Sequence, residues 1–244
     1  MTTPHDESSI LELQDLIIDT ASVGEFLEEL TVYASKAISN SIDEPVACAI
    51  TLRRRNRSGT LAGSSPNARE VNEIQHLLGS GPCLEALESN TAVLLDDVRT
   101  ETRWPEYQKA LASHGIYSVL GLPLELGKDS WAALNIYARA AGVFDSRTVT
   151  VAEGFAKTAG HALRLAVRIG TEQLLAEDLR AAMVNRTTID LVCGAIMGQN
   201  RCSQEEAFAI LTRASNHRNM KLHLVAEEIL LQIAGSGGHS HFAP

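Results

Sequence analysis

Apolar residues recur at helical spacing at the two ends of the chain and at strand spacing between them. Ile10, Leu11, Leu13, Leu16 and Ile17 make one helical face. Phe26, Leu27, Leu30, Tyr33, Ala34 and Ala37 make a second over about Val23–Ser39, with Glu25, Glu28 and Glu29 on the opposite side. VACAITLRRR (46–55) reads as a strand that turns through RNRSG into a second strand at TLAGSS. NAREVNEIQHLLGSGPCLEALES reads as two helices broken at Gly79, Gly81 and Pro82. TAVLLDDV is a strand pattern, RWPEYQKALASHG a helix ended by Gly115, and YSVLGLPLEL with WAALNIYAR two strands about a turn at Gly127–Ser130. The order predicts an α+β fold, an antiparallel sheet flanked by helices.

From about Ser146 the pattern is helical almost to the end, with no proline between Ser146 and Met197. Gly154, Gly160 and Gly170 weaken this stretch, and a break or bend is expected near Gly170. Beyond it, Leu175, Leu179, Ala182, Arg186, Ile189, Cys193 and Ile196 alternate by four and three, a short heptad seam with one charge in it. Such a seam suits either packing within a domain or a parallel pair of helices, and a homodimer is the expectation. Ser203 with Glu206 three residues on has the form of a capping box. Ala207, Ile210, Leu211 and Ala214, then Leu222, Val225, Ala226, Ile229 and Leu230, give two more apolar faces, enough for a three-helix core. The expected organisation is a mixed domain over 1–170, a helical linker and three-helix domain over 171–234, and a flexible tail over 235–244.

Charge changes this picture only once it is located. The net charge is −9, but residues 1–50 hold ten acids against one base, Lys36, so the remainder balances twenty against twenty. The acidity belongs to the first helices. Between Ala207 and Ala226 there is no acid, while Arg213, His217, Arg218, Lys221 and His223 lie there beside Asn216 and Asn219. That set suits phosphates and unpaired bases, and equally a solvated helix end whose cations oppose the macrodipole. Arg53-Arg54-Arg55-Asn56-Arg57 is the densest basic run and falls at a hairpin tip. The bland reading there is a solvated cluster; a nucleic-acid contact or a latch onto the acidic helices is the other.

Little points to catalysis. Cys48, Cys83, Cys193 and Cys202 form no CxxC pair, and His76, His114 and His161 stand apart from one another. Cys83, after Pro82, sits near a helix start, where a thiol pKa can fall, although a buried inert cysteine is the commoner case. No cofactor is indicated. No run reaches 18 apolar residues and the start lacks a signal-peptide pattern, so a cytoplasmic protein without a membrane span is expected.

GPCLEAL, DDVRTETRWPEY, IYSVLGLPLEL and AALNIYAR, followed by FD and an alanine-rich helix, together resemble a GAF sensor domain over roughly 20–170. The likeness is to those of actinobacterial GAF–ANTAR antitermination proteins. Residues of about 176–234 resemble the ANTAR domain, a three-helix RNA-binding module. They do so at Arg186, Ile189, Gly194, Met197, Ser203, Glu206-Ala207-Phe208, Leu211, Ser215, Arg218, Lys221-Leu222, Val225-Ala226 and Ile229. One departure is Cys193, where this family usually has lysine, so a phosphate-facing cation is expected to be missing. The resemblance implies a non-enzymatic regulator that binds an RNA stem-loop and controls transcription antitermination, gated by a small-molecule ligand of the sensor. Arg186, Arg213, Arg218 and Lys221 are the expected RNA contacts, and Trp104, Tyr117 and Trp131 the expected lining of the sensor pocket. Trp131 stands where related sequences commonly carry glycine. A DNA-binding regulator and a protein-interaction module without nucleic-acid binding are the alternatives.

Overall fold

The computed structural model describes residues 4–54, 57–127 and 130–236. The chain divides into two compact units, Met1–Gly170 and Thr171–Pro244. Two helices open the first, α1 (Pro4–Asp19) and α2 (Val23–Ile42). Ser22 caps α2 by accepting the Glu25 N–H at 3.1 Å, and Asp43 ends it in the left-handed conformation. There follow β1 (Val46–Arg54), β2 (Arg57–Gly63), α3 (Pro66–Leu78), α4 (Pro82–Ser89), β3 (Val93–Leu95), α5 (Pro105–Ser113), β4 (Ser118–Leu124) and β5 (Ser130–Ala138).

The strands form one antiparallel sheet in the order β2-β1-β5-β4-β3. Its centre is the pairing of β1 with β5, from Val46 opposite Ala138 to Arg54 opposite Ser130. Alternation sends Cys48, Ile50, Leu52, Leu134 and Ile136 to one face, where they pack with Phe26, Leu27, Leu30 and the start of the long helix. Ala49, Val119 and Tyr137 face the other way, onto α3, α4 and α5 through Ala68, Val71, Ala86, Tyr107 and Leu111. The strand expected over TAVLLDDV is only three residues long. Asp97 ends it: its carbonyl accepts the N–H groups of Thr100 and Glu101 at 3.1 Å each, and its carboxylate binds Arg99.

The glycine-weakened stretch is not broken. A single helix, α6, runs over Ser146–Asn200. Asp145 starts it by accepting the Thr148 N–H at 2.7 Å, and Phe144 beside it is buried, which explains the Phe-Asp pair. Ala152, Ala156, Ala159, Leu163 and Ala166 recur by four and three into the core. Gly170 serves close approach rather than a bend, since a Cβ there would lie 2.8 Å from Val23 Cγ2.

The second unit contains the end of α6, then α7 (Gln204–Arg218) and α8 (Leu222–Ser236). Val192, Cys193, Ile196, Ala207, Leu211, Val225 and Ala226 form its core. The capping box at Ser203 and Glu206 is present, with Glu206 Oε2 accepting the Ser203 N–H at 2.8 Å. Asn219 ends α7 in the left-handed conformation, and the Ser215 hydroxyl donates to the Met220 carbonyl at 2.5 Å, tying the turn. The expected tail over 235–244 falls outside the described residues beyond Ser236, which still belongs to α8.

Candidate functional site

In the three-helix unit, Ala207, Leu211 and Ser215 mark the buried side of α7. Arg213 stands almost opposite Leu211 at 100° per residue, and His217 follows one turn later on the same exposed side. Lys221, in the turn before α8, is exposed as well. Among the described residues none of these three has an ion pair or side-chain hydrogen bond, so Arg213, His217 and Lys221 present free donors to solvent.

Arg218 does not share that face. It lies close to the angle of Leu211, and its guanidinium turns onto α8, where Nη1 reaches Glu228 Oε2 at 2.9 Å. The pair is half-exposed on both sides, so it competes with any phosphate without excluding one. Arg186 is a turn and more before the core on α6, exposed, with Asp190 Oδ2 3.9 Å from its Nε. The heptad seam divides between two roles: Ile189, Cys193 and Ile196 pack in the three-helix core, whereas Leu175 and Leu179 are 54% and 57% exposed.

Cys193 lies in the core of the three-helix unit rather than on its surface. It is 3% exposed and packs with Val192 and Ile196, and burial together with the Asp190 carboxylate raises its thiol pKa. A surface role for the side chain at this position would need a long stem reaching out past the core, which cysteine lacks. Phe208, one of the residues that carry the ANTAR resemblance, is half-exposed on α7.

In the first unit the three aromatic residues expected to line one pocket are not together. Trp104 is buried in the core under the Arg103 guanidinium, 4.2 Å from its ring centroid. Tyr117 is half-buried beside Arg99 and its N–H bonds the Ala138 carbonyl, at the far end of β5. Trp131 is at the near end of the same strand and half-exposed. Seven residues of strand, roughly 23 Å, lie between those ends.

What fills the sheet face under α3–α5 is a buried polar network that no periodicity announces. Asn72 Nδ2 donates to Thr51 Oγ1 at 3.1 Å, and Asn72 Oδ1 accepts from Gln75 Nε2 at 3.0 Å and Asn135 Nδ2 at 2.8 Å. Gln75 Oε1 accepts the Cys83 N–H at 3.1 Å, and the Cys83 thiol lies 3.6 Å from Thr51 Oγ1. His76 Nε2 is 2.7 Å from the same hydroxyl; burial, and then Arg53, lower its pKa and favour the neutral ring. Gly121 is required here, since a Cβ would lie 2.9 Å from the Pro82 carbonyl oxygen. Asn135 Oδ1 is buried without a protein partner among the described residues, and the buried Tyr107 and Tyr137 hydroxyls lie against each other. Burial raises the thiols of Cys48 and Cys83, the opposite of what an attacking cysteine needs. No group of three or more His, Cys, Asp or Glu among the described residues could hold a metal, and no helix among them is long and apolar enough to cross a membrane.

The chain belongs to the GAF-domain family, whose model matches residues 20–164, and it carries an ANTAR domain over 177–230. A GAF domain joined to an ANTAR domain supports a sensor-gated regulator. No curated protein matches it. Among solved structures, a GAF domain region of a membrane protein from Geobacter sulfurreducens is similar at 17% identity and TM-score 0.44, over 63% of this chain and 99% of that one. The GAF domain of an Acinetobacter phosphoenolpyruvate-protein phosphotransferase is similar at 14% identity and TM-score 0.47, over 70% and 99%. An N-acylhomoserine-lactone-dependent LuxR-family transcription factor from Burkholderia cenocepacia is similar at 13% identity and TM-score 0.49, over 67% and 98%.

Proposed function

We propose that this chain is a non-enzymatic cytoplasmic regulator. Its ANTAR domain binds an RNA stem-loop and controls transcription antitermination, under the control of a small molecule bound by the GAF domain. The observation that carries the reading is the exposed Arg213–His217–Lys221 set, which no acid balances at the α7–α8 corner. Free guanidinium, imidazole and ammonium groups beside Asn216 suit the phosphates and splayed bases of a single-stranded loop. Arg213 and Lys221 are the principal contacts, Arg218 a secondary one that must leave Glu228, and Arg186 a contact further along α6.

The working form is a homodimer paired through Leu175, Leu179 and Ala182, whose exposure on a helix leaves an apolar stripe to be covered. A ligand that alters this pairing alters how the two basic faces are presented. The DNA-reading alternative is disfavoured by α8, which exposes Glu227 and Glu228 and buries Val225 and Ala226. A helix entering a groove offers donors there instead.

The test is enrichment of RNA from a randomised stem-loop pool with duplex DNA as competitor, followed by the salt dependence of the selected RNA. Arg213→Ala with Lys221→Ala should weaken binding and flatten the slope of log K against log salt by about 0.7 per lost contact. Arg218→Ala alone should do less. Equal slope and affinity in the double variant would remove this face from the mechanism.

A further inference from the structure

Helix α6 carries a row of basic residues on the outside of the first unit. Lys157, His161, Arg164 and Arg168 recur by four, three and four, so they share one side within about 60° and run for about 16 Å. All four are exposed, and among the described residues none has an ion pair or side-chain hydrogen bond. Glu153 and Glu172 stand one turn beyond either end of the row. Leu165 and Ile169 each follow an arginine by one position, which sets an exposed apolar strip beside the bases, further round in the direction of winding. Helix α1 has the same pair of strips with the charge reversed. Leu11 and Ile18 are 62% and 78% exposed, and Asp15 and Asp19 lie next to them, further round in the same sense. The inward residues of the two helices, Leu13 and Leu163, pack in one core, so the outer strips face away from it and cannot meet within one copy.

The order of the strips differs: base then apolar on α6, apolar then acid on α1. Two right-handed helices laid face to face in the same direction wind oppositely across their contact, so acid meets base and apolar meets apolar. Laid in opposite directions, they would set acid against apolar. We propose that this face docks a second copy of the chain, α1 of each lying parallel to α6 of the other, with Asp15 and Asp19 against Arg164 and Arg168. Those two pairs share a four-residue spacing, and aligning them places Ile18 between Leu165 and Ile169. A two-fold pair makes the contact twice. Exposed leucine and isoleucine beside the bases suit a protein helix better than a phosphate backbone. Residues 1–50, with ten acids to one base, supply the charge that a basic face attracts. The contact rests on the homodimer proposed above and adds to it an interface within the sensor unit.

The experiment is sedimentation equilibrium of the full chain. Asp15→Lys with Asp19→Lys, and separately Arg164→Glu with Arg168→Glu, should each weaken dimerisation by about tenfold or more, because like charges then meet in both contacts. An equimolar mixture of the two variants should recover a dimer, since a mixed pair sets opposite charges together again in both contacts. Added salt should weaken the parent dimer, because the pairs lie at the surface. All four residues are exposed, so both variants should keep the parental thermal unfolding curve. Variants that dimerise as tightly as the parent would overturn this contact and leave the Leu175–Leu179 stripe as the interface. Weakened variants that the mixture does not rescue would overturn it as well. A parent that is monomeric throughout would overturn the homodimer and this contact with it. Loss of RNA affinity in Arg164→Glu with Arg168→Glu, with dimerisation unchanged, would assign the basic row to nucleic acid instead.

Discussion

Arg103 holds together the segment between β3 and α5. Its guanidinium donates to the Leu94 carbonyl at 2.7 Å and to Glu101 at 2.7 Å, approaches Glu85 at 3.7 Å, and covers the Trp104 ring. That arrangement makes Arg-Trp-Pro-Glu-Tyr a structural clasp, and its tryptophan is core rather than pocket lining. Hydrogen bonds from Arg103 hold the Glu101 carboxyl at about 2, below its ordinary 4.5. A depressed carboxyl stabilises the fold above its unfolded pKa and loses that contribution as pH falls through the folded one. Glu101→Gln should therefore be less stable than the parent at pH 7, with the gap closing between about pH 4.5 and 2. Urea unfolding at pH 7, 5 and 3 measures this, and a gap of the same size at all three would refute the clasp's electrostatic part.

Among the elements, the helix ends are where local chemistry and final structure agree. Ser203 and Glu206 satisfy each other's backbone N–H groups in the sequence spacing that announces such a box. Ser203→Ala should cost about 1 kcal/mol, read as faster amide exchange across the first turns of α7. Exchange rates equal to the parent's would mean that tertiary packing, not the cap, holds that end. The glycines of α6 show the opposite case. Each weakens an isolated helix by up to about 1 kcal/mol relative to alanine, which is why a break near Gly170 was the natural expectation. The element persists because Gly160 and Gly170 allow close contacts, with Glu125 in one case and Val23 in the other. A glycine that permits packing and a glycine that breaks a helix have the same sequence signal.

At the scale of the whole molecule, the exposed leucines of α6 carry the most direct prediction. Leu175→Glu with Leu179→Glu should convert a dimer into a monomer by sedimentation, because facing carboxylates would replace an apolar seam. A parent that is already monomeric would refute the homodimer, and a variant that stays dimeric would place the interface elsewhere. The GAF and ANTAR domains can be coupled only as strongly as a ligand discriminates between their states. Driving the output from 1:99 to 99:1 takes about 5.5 kcal/mol of differential affinity, so a weakly selective ligand would grade the response.

Sequence by itself determined the kinds of element, the capping box at Ser203 and the buried stripes, which rest on short-range periodicity and residue chemistry, while the two domains were legible through their resemblance to known families. It also located the acid-free window that contains Arg213 and Lys221. Tertiary structure alone decided which of these groups are free. Arg218 is turned onto Glu228 by its angle on α7, and Cys193 is in a core because α7 and α8 close over it. The same holds for the sheet. Pairing β1 with β5 joins residues more than seventy positions apart, and that pairing brings Asn135 under Asn72 and sets Trp131 beside Arg53. Asparagine and glutamine read as surface residues in a linear pattern. Only the approach of distant elements, which gives each buried amide its partner, makes them core.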